Sequence, residues 1–229
     1  MTDVRGAPAM LRVAHRAAPI EAALGPGRRA VIWVQGCASR CAGCIAPEAW
    51  DPAAGALEPV DQVAGWLLAR PDIEGVTLSG GEPMLQAAGL AALIRHVRRR
   101  RDLGVICYTG FVMPPPDSPH GVPLDLDGPA ADLLARVDLL IDGPYVESLH
   151  ADLLWRGSGN QRLIALTDRY RDLLPAVGSR DDSGAGLVCS VDAEGGPHLA
   201  GVPSEAGFRR RFEALLADRG VDLKPVRGG

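Results

Sequence analysis

The chain has 229 residues, 47% of them hydrophobic and 23% charged, which supplies the core of one generous domain or of one domain with a small appendage and excludes disordered or fibrous classes. A formal net charge of −4 gives no global electrostatic reason to expect nucleic acid as a partner. No apolar run approaches the ~20 residues that cross a bilayer, and Arg5, Arg12 and Arg16 interrupt the only mildly apolar N-terminal stretch, so neither membrane nor secretion is expected and a cytoplasmic, reducing setting is.

In chain order, Met10–His15 and Arg29–Gln35 read as strands, the second β-branched and apolar enough to be buried on both faces. The tight turn between them, Gly25-Pro26-Gly27-Arg28, reads as a plain loop, although its arginine is free to point at an anion. Directly after the second strand comes Gln35-Gly36-Cys37-Ala38-Ser39-Arg40-Cys41-Ala42-Gly43-Cys44, which gathers three of the five cysteines into one short loop. Thiolates at C-x3-C-x2-C spacing can turn toward one inorganic cluster, and three ligands leave one iron of a four-iron cluster open to something that is not protein. Zinc is the second reading, since it needs a fourth ligand and Cys107, Cys189 and the histidines are all distant in sequence. A disulfide framework does not suit so long and cysteine-poor a chain.

Pro47-Glu48-Ala49-Trp50-Asp51 leads through a Pro/Gly/Ala loop to an amphipathic helix starting near Pro59, with Val60, Val63, Ala64, Leu67 and Leu68 on one stripe and Pro71 as its stop. Ile73–Leu78 is a second buried strand that runs into Ser79-Gly80-Gly81-Glu82-Pro83. Adjacent glycines let a ligand approach the backbone with amide and carbonyl groups free, and Glu82 adds a fixed negative charge, so the turn can hold a zwitterion; taken alone it is also an ordinary turn. A helix over about Gln86–Arg101 carries Leu90, Leu93, Ile94 and Val97 inward, and its terminal arginines are expected to complement the dipole and stay solvated. Strand Leu103–Tyr108 buries Cys107 as an apolar side chain and ends in Thr109-Gly110-Phe111.

Met113–Gly128 is a proline-rich irregular loop, expected to cover the site. Helix Pro129–Arg136 leads to strand Val137–Asp142, where Asp142 either caps a turn or belongs to the site. Trp155–Arg162 precedes a last core strand, Leu163–Leu166, and Asn160, Gln161 and Arg162 supply donors that suit a polar cofactor or a capped turn. Strand and helix alternate to this point, which predicts a mostly parallel sheet. Beyond Thr167 the expectation is a linker over 168–185, a hairpin of Leu187–Val191 and His198–Val202 around Glu194-Gly195-Gly196, and a helix capped by Ser204 that carries Phe208, Phe212, Leu215 and Leu216. Cys189 and His198 read as structural.

Together, Gly25–Arg28, Val34–Cys37 with Cys41 and Cys44, Pro47–Asp51, Thr77–Pro83 with Gln86, Tyr108–Phe111, Asp142–Tyr145 and Trp155–Arg162 resemble the radical S-adenosylmethionine enzymes, and among them the activating proteins of anaerobic ribonucleotide reductase. The resemblance runs from about Leu11 to Leu166, and Gly43 looks like the small residue usual in this subfamily. It implies an α/β fold, a partial (β/α) barrel of mostly parallel strands, with a small C-terminal β-β-α appendage. The divisions expected are 1–29, an N-terminal strand and turn; 30–167, the core; 168–185, a linker; and 186–229, the appendage.

It further implies a [4Fe-4S] cluster on Cys37, Cys41 and Cys44. S-adenosylmethionine would chelate the open iron, with Ser79, Gly80, Gly81 and Glu82 at its amino end and Asp142, Asn160 and Gln161 as further cofactor-binding candidates. No catalytic residue is assigned beyond the cluster and S-adenosylmethionine. The implied chemistry is reductive cleavage to a 5′-deoxyadenosyl radical, which takes a hydrogen atom from a backbone glycine of a glycyl-radical enzyme, with flavodoxin or ferredoxin as electron donor. The chain departs from the family in its proline-rich loop and in the tail from about Asp168, and no glycyl-radical loop is visible in it. Two alternatives stand beside this reading: a radical enzyme acting on another peptide or small molecule with the tail as recognition module, and a non-catalytic metal-binding protein.

Overall fold

The computed structural model describes residues 9–115, 119–178, 186–191 and 197–221. Its centre is a seven-stranded sheet. The chain runs β1 (Met10–Glu21), β2 (Arg28–Val34), β3 (Ala56–Pro59), α1 (Val60–Leu68), β4 (Gly75–Gly80), α2 (Ala87–Arg98), β5 (Gly104–Tyr108), α3 (Gly128–Leu134) and β6 (Leu139–Asp142). It continues through a short hairpin of β7 (His150–Leu153) and β8 (Arg156–Ser158), then β9 (Arg162–Ala165), α4 (Leu174–Val177), a second hairpin of β10 (Leu187–Val191) and β11 (Pro197–Gly201), and α5 (Phe208–Ala217).

The strand order is β3-β1-β2-β4-β5-β6-β9. Only β2, β4, β5 and β6 are mutually parallel. β1 lies antiparallel to β2 and β3, and β9 runs antiparallel to β6 with Asp142 opposite Arg162, so the alternation that predicts a parallel last strand fails there. The reason is covalent: α3 makes the last crossover, and the β7–β8 hairpin that follows β6 turns the chain back instead of carrying it across a helix.

Alternation along the parallel strands sorts side chains to two faces. Ala30, Ile32, Val34, Val76, Leu78, Val105, Cys107 and Leu140 pack against α1, α2 and α3, which bring in Val63, Leu67, Leu90, Ile94 and Leu133. The opposite face carries Val31 and Trp33 beside Leu24 and Ala200, and Ile106, Leu139 and Ile141 beside Trp155 and Val177. Every residue of β2 except Arg28 is buried, as expected of a strand covered on both sides. Cys107 is wholly buried, and burial pushes its thiol well up.

Four expectations are corrected. Residues 168–177 are no free linker: the Tyr170 hydroxyl accepts from the buried Arg29, and Val177 is buried. α5 begins at Phe208 behind Gly207, whose φ is +67°, and not behind Ser204. Half of the arginine run is engaged, with Arg98 on Asp138 at 2.6 Å and Arg101 on the carbonyls of Arg70 and Ile73, while Arg99 and Arg100 stay exposed as expected. Arg28 pairs with Asp72 at the end of β2 away from the cysteines. The hairpin turn Glu194-Gly195-Gly196 lies outside the described residues.

Candidate functional site

Because β2, β4, β5 and β6 are parallel, their C-terminal ends fall on one edge, and the loops that follow them meet there. Cys37, Cys41 and Cys44 are free and half-buried, and all three border a cavity of about 150 Å³ whose other walls include Ser79–Glu82, Thr109 and Gly143–Tyr145.

The cysteine loop is held by its own backbone. Gly36 N–H donates to Ala49 O at 2.8 Å, Cys37 N–H to Trp50 O at 3.1 Å, and Cys44 N–H to Cys41 O at 3.2 Å. Two glutamines brace it from behind: Gln35 Nε2 donates to the carbonyls of Glu48 and Asp51, and Gln86 Nε2 donates to those of Gln35 and Arg12. Gly43 has φ +74°, and a Cβ there would lie 2.9 Å from Glu147 Oε1 and 3.2 Å from Tyr145, so the small residue is required by its neighbours.

The glycine turn serves this loop more than the sequence suggests. Gly81 N–H donates to Val34 O at 2.7 Å and Glu82 N–H to Gly36 O at 2.8 Å, so these amides are not free for a ligand. Gly80 has φ +100°, and a Cβ on it would sit 2.6 Å from Trp33 Cα; one on Gly81 would run into Gly36 O. The close approach that the two glycines permit is that of the chain's own cysteine loop, and Ser79–Glu82 still line the cavity.

Glu82 is buried behind the turn. Its carboxylate accepts from Met84 N–H and Gly110 N–H at 2.9 and 2.8 Å and from Thr109 Oγ1 at 2.8 Å. Burial raises its pKa, and those three donors pull the other way. Thr109, missed by sequence reasoning beyond its place in a small-residue turn, orients the carboxylate.

Burial, then the neighbouring Cys37 sulfur, pushes the Cys41 thiol up. Burial does the same to Cys44, while the Ala46 amide and Trp50 indole facing its sulfur oppose it. Burial and crowding of this kind favour the neutral thiols. Among the described residues no three His, Cys, Asp or Glu side chains converge tightly enough for a single ion. The three cysteines border one shared space.

The remaining candidates stand at the far wall. Asp142 is fully buried, accepts from Arg162 at 2.6 Å and from Met113 N–H at 2.7 Å, and does not line the cavity. Asn160 donates to Pro144 O at 2.8 Å and keeps a buried Oδ1 without a hydrogen-bond partner, an acceptor that a bound group could use. Gln161 reaches the cavity while accepting from Gly157 N–H and donating to Gly143 O. The structure thus brings Ser79–Glu82 and Gln161 to the cysteines and sets Asp142 and Asn160 behind them.

The described part of the proline-rich loop does not cover this cavity; it turns back on Val112 through Pro123. The tail stands beside it. A second cavity of about 160 Å³ shares Cys44, Ser79, Tyr108, Tyr145 and Gln161 with the first and is closed by Val202, Pro203, Phe208 and Arg209.

A family model described as a 4Fe-4S single cluster domain matches residues 23–164. The chain is 32% identical over 162 residues to the anaerobic ribonucleoside-triphosphate reductase-activating protein of Vibrio cholerae, covering 67% of this chain and 97% of that protein. It is 32% identical over 155 residues to the protein of that name from Enterobacteria phage T4, covering 66% and 92%. A shorter match, 38% over 80 residues and 32% of each chain, is to the pyruvate formate-lyase-activating enzyme of Staphylococcus epidermidis. The chain belongs to the radical S-adenosylmethionine activase family. An iron–sulfur cluster and S-adenosylmethionine are therefore its cofactors, and it is an enzyme of the glycyl-radical activating type. In this activase the strand ends, cysteine loop and glycine turn all fall within the matched residues, whereas α4, the second hairpin and α5 fall outside them.

Proposed function

We propose that this chain places a glycyl radical on a partner of the anaerobic ribonucleotide reductase class. The observation that carries the reading is that three free cysteines and the Gly80-Gly81-Glu82 turn form one hydrogen-bonded unit around a single cavity. Cys37, Cys41 and Cys44 would hold the cluster, Ser79, Gly80, Gly81 and Glu82 would receive the amino end of S-adenosylmethionine, and Asn160 and Gln161 would orient the far wall, with Asp142 fixing it from behind. When bound, the two cofactors supply a 5′-deoxyadenosyl radical able to take a hydrogen atom from a backbone glycine. The chain's own part is to bury two of the thiols, hold Glu82 beneath them and wall the cavity with Trp50, Tyr108 and Tyr145, which limits water at the reacting face.

The wider arrangement belongs to the same proposal. The sheet acts as a partial (β/α) barrel over 30–167, preceded by 1–29, and 186–229 is an appendage joined through 168–185. A flavodoxin or ferredoxin delivers the electron, in a cytoplasmic setting, with neither nucleic acid nor membrane as partner. No helix among the described residues is long and apolar enough to cross a membrane.

Reduced, anaerobically reconstituted protein given S-adenosylmethionine should release 5′-deoxyadenosine, and adding a reductase partner should produce a glycyl-radical paramagnetic signal. A second reading, a radical enzyme for another peptide or small molecule, is favoured by the tail residues that close the second cavity. Release of 5′-deoxyadenosine with no glycyl signal would move the assignment to it. No release at all from cluster-loaded protein would defeat both.

A further inference from the structure

The last helix lies outside the family match, yet its first turn is tied to the cysteine loop. Arg209 has a side chain only 12% exposed. Its Nη1 donates at 2.9 Å to the carbonyl of Ile45, the residue after Cys44, and lies 3.1 Å from Glu48 Oε2. Its Nε donates to Glu213 Oε1, one turn along α5, at 2.6 Å.

Ile45 and Glu48 bracket Ala46, whose amide faces the Cys44 sulfur, and Glu48 sits in the turn that delivers the Trp50 indole to the same sulfur. A guanidinium is a rigid planar fork, so engaging a carbonyl and a carboxylate of one short loop fixes the path between them. We propose that Arg209 is a positioning residue for Cys44, supplied to the cluster loop by the appendage. Glu48 and Glu213 more than balance its charge, and the fork's part is to set the path of the loop. Arg210 also approaches the loop, through Glu147 beside Gly43 at 2.7 Å, whereas Arg211 bonds within the tail, to Ala206 O at 2.7 Å and Glu205 at 2.6 Å.

The inference rests on reading Cys44 as a cluster ligand, but its first test needs no cluster. In the full chain without iron, the amides of Cys44, Ala49 and Trp50, bonded to Cys41 O, Ala46 O and Pro47 O, report whether the loop opens. Arg209→Met keeps the aliphatic stem and removes the fork; loss of one charge-assisted bond corresponds to about tenfold faster exchange at these amides. Arg209→Lys should restore part of the protection, and Arg211→Ala, on the same helix but bonded to Ala206 O and Glu205, should leave it unchanged. In reconstituted protein, loss of iron–sulfur absorbance to a chelator should follow the same order.

Parent-like exchange and chelator rates in Arg209→Met would overturn the proposal. So would an Arg211→Ala variant that behaves like Arg209→Met, because that marks loosening of the whole tail. A parent chain that takes up no cluster would defeat the functional reading and leave the exchange result to decide this one.

Discussion

Gly80 illustrates how a residue with no side chain can carry a site. Its φ of +100° and the 2.6 Å approach of a would-be Cβ to Trp33 Cα mean that alanine there is both strained and clashing. Strain and overpacking of this kind each cost roughly 1–3 kcal/mol, so Gly80→Ala should lower unfolding free energy by about 3 kcal/mol. The measurement is urea unfolding of the iron-free protein; a loss under about 1 kcal/mol would show that the turn relaxes away from Trp33 at little cost. Glu82 works in the opposite sense from a surface carboxylate. Its folded pKa is raised, so its contribution to stability is fully present below the unfolded carboxylate value and is lost as pH rises through the folded one.

Among the secondary elements, the parallel strands are locked at their N-terminal ends by one buried arginine. Arg29, 1% exposed on β2, donates to Thr77 Oγ1 and Val76 O on β4, to Gly104 O on β5, to Pro26 O and to the Tyr170 hydroxyl. Burial lowers its pKa, with the Tyr170 contact opposing. No carboxylate pairs with it in these bonds, so neutral acceptors satisfy all five donors. Replacing it by methionine removes the cost of burying a cation but strands the carbonyls of Val76 and Gly104, each worth about 1–3 kcal/mol when left unpaired. The second effect should win, and Arg29→Met should destabilise the protein by about 3 kcal/mol. Thermal and denaturant melts check this; a variant as stable as the parent would mean that water or a shifted strand repairs the loss.

At the scale of the whole molecule, the tail closes a face that the sheet leaves open. Ala200 is buried against Ile20, Leu24, Val31 and Trp33, and Phe208 with Pro203 closes the cavity beside Cys44. A chain ending at Gly178 keeps Tyr170 and Val177, and with them the packing of the sheet's inner face. It should retain mixed α/β circular dichroism while binding a hydrophobic dye more strongly and losing its cluster to chelator faster than the full chain. Unchanged dye binding would show that the tail contributes no cover.

How much of this was legible beforehand depends on the range of the interaction. The cysteine spacing, the glycine turn, the buried strands and the stripes on α1 and α2 are written in residues a few positions apart, because thiolate reach, backbone freedom and amphipathic periodicity are local properties. What only the tertiary structure decided involves residues far apart in the chain. Gly81 and Glu82 spend their amides on Val34 and Gly36, Arg29 meets Tyr170, β9 returns antiparallel, and Arg209 reaches Ile45. A hydrogen bond leaves no periodic trace in sequence when its partners are brought together by folding, so the cysteines and the turn that line this cavity were readable while most of what holds them in place was not.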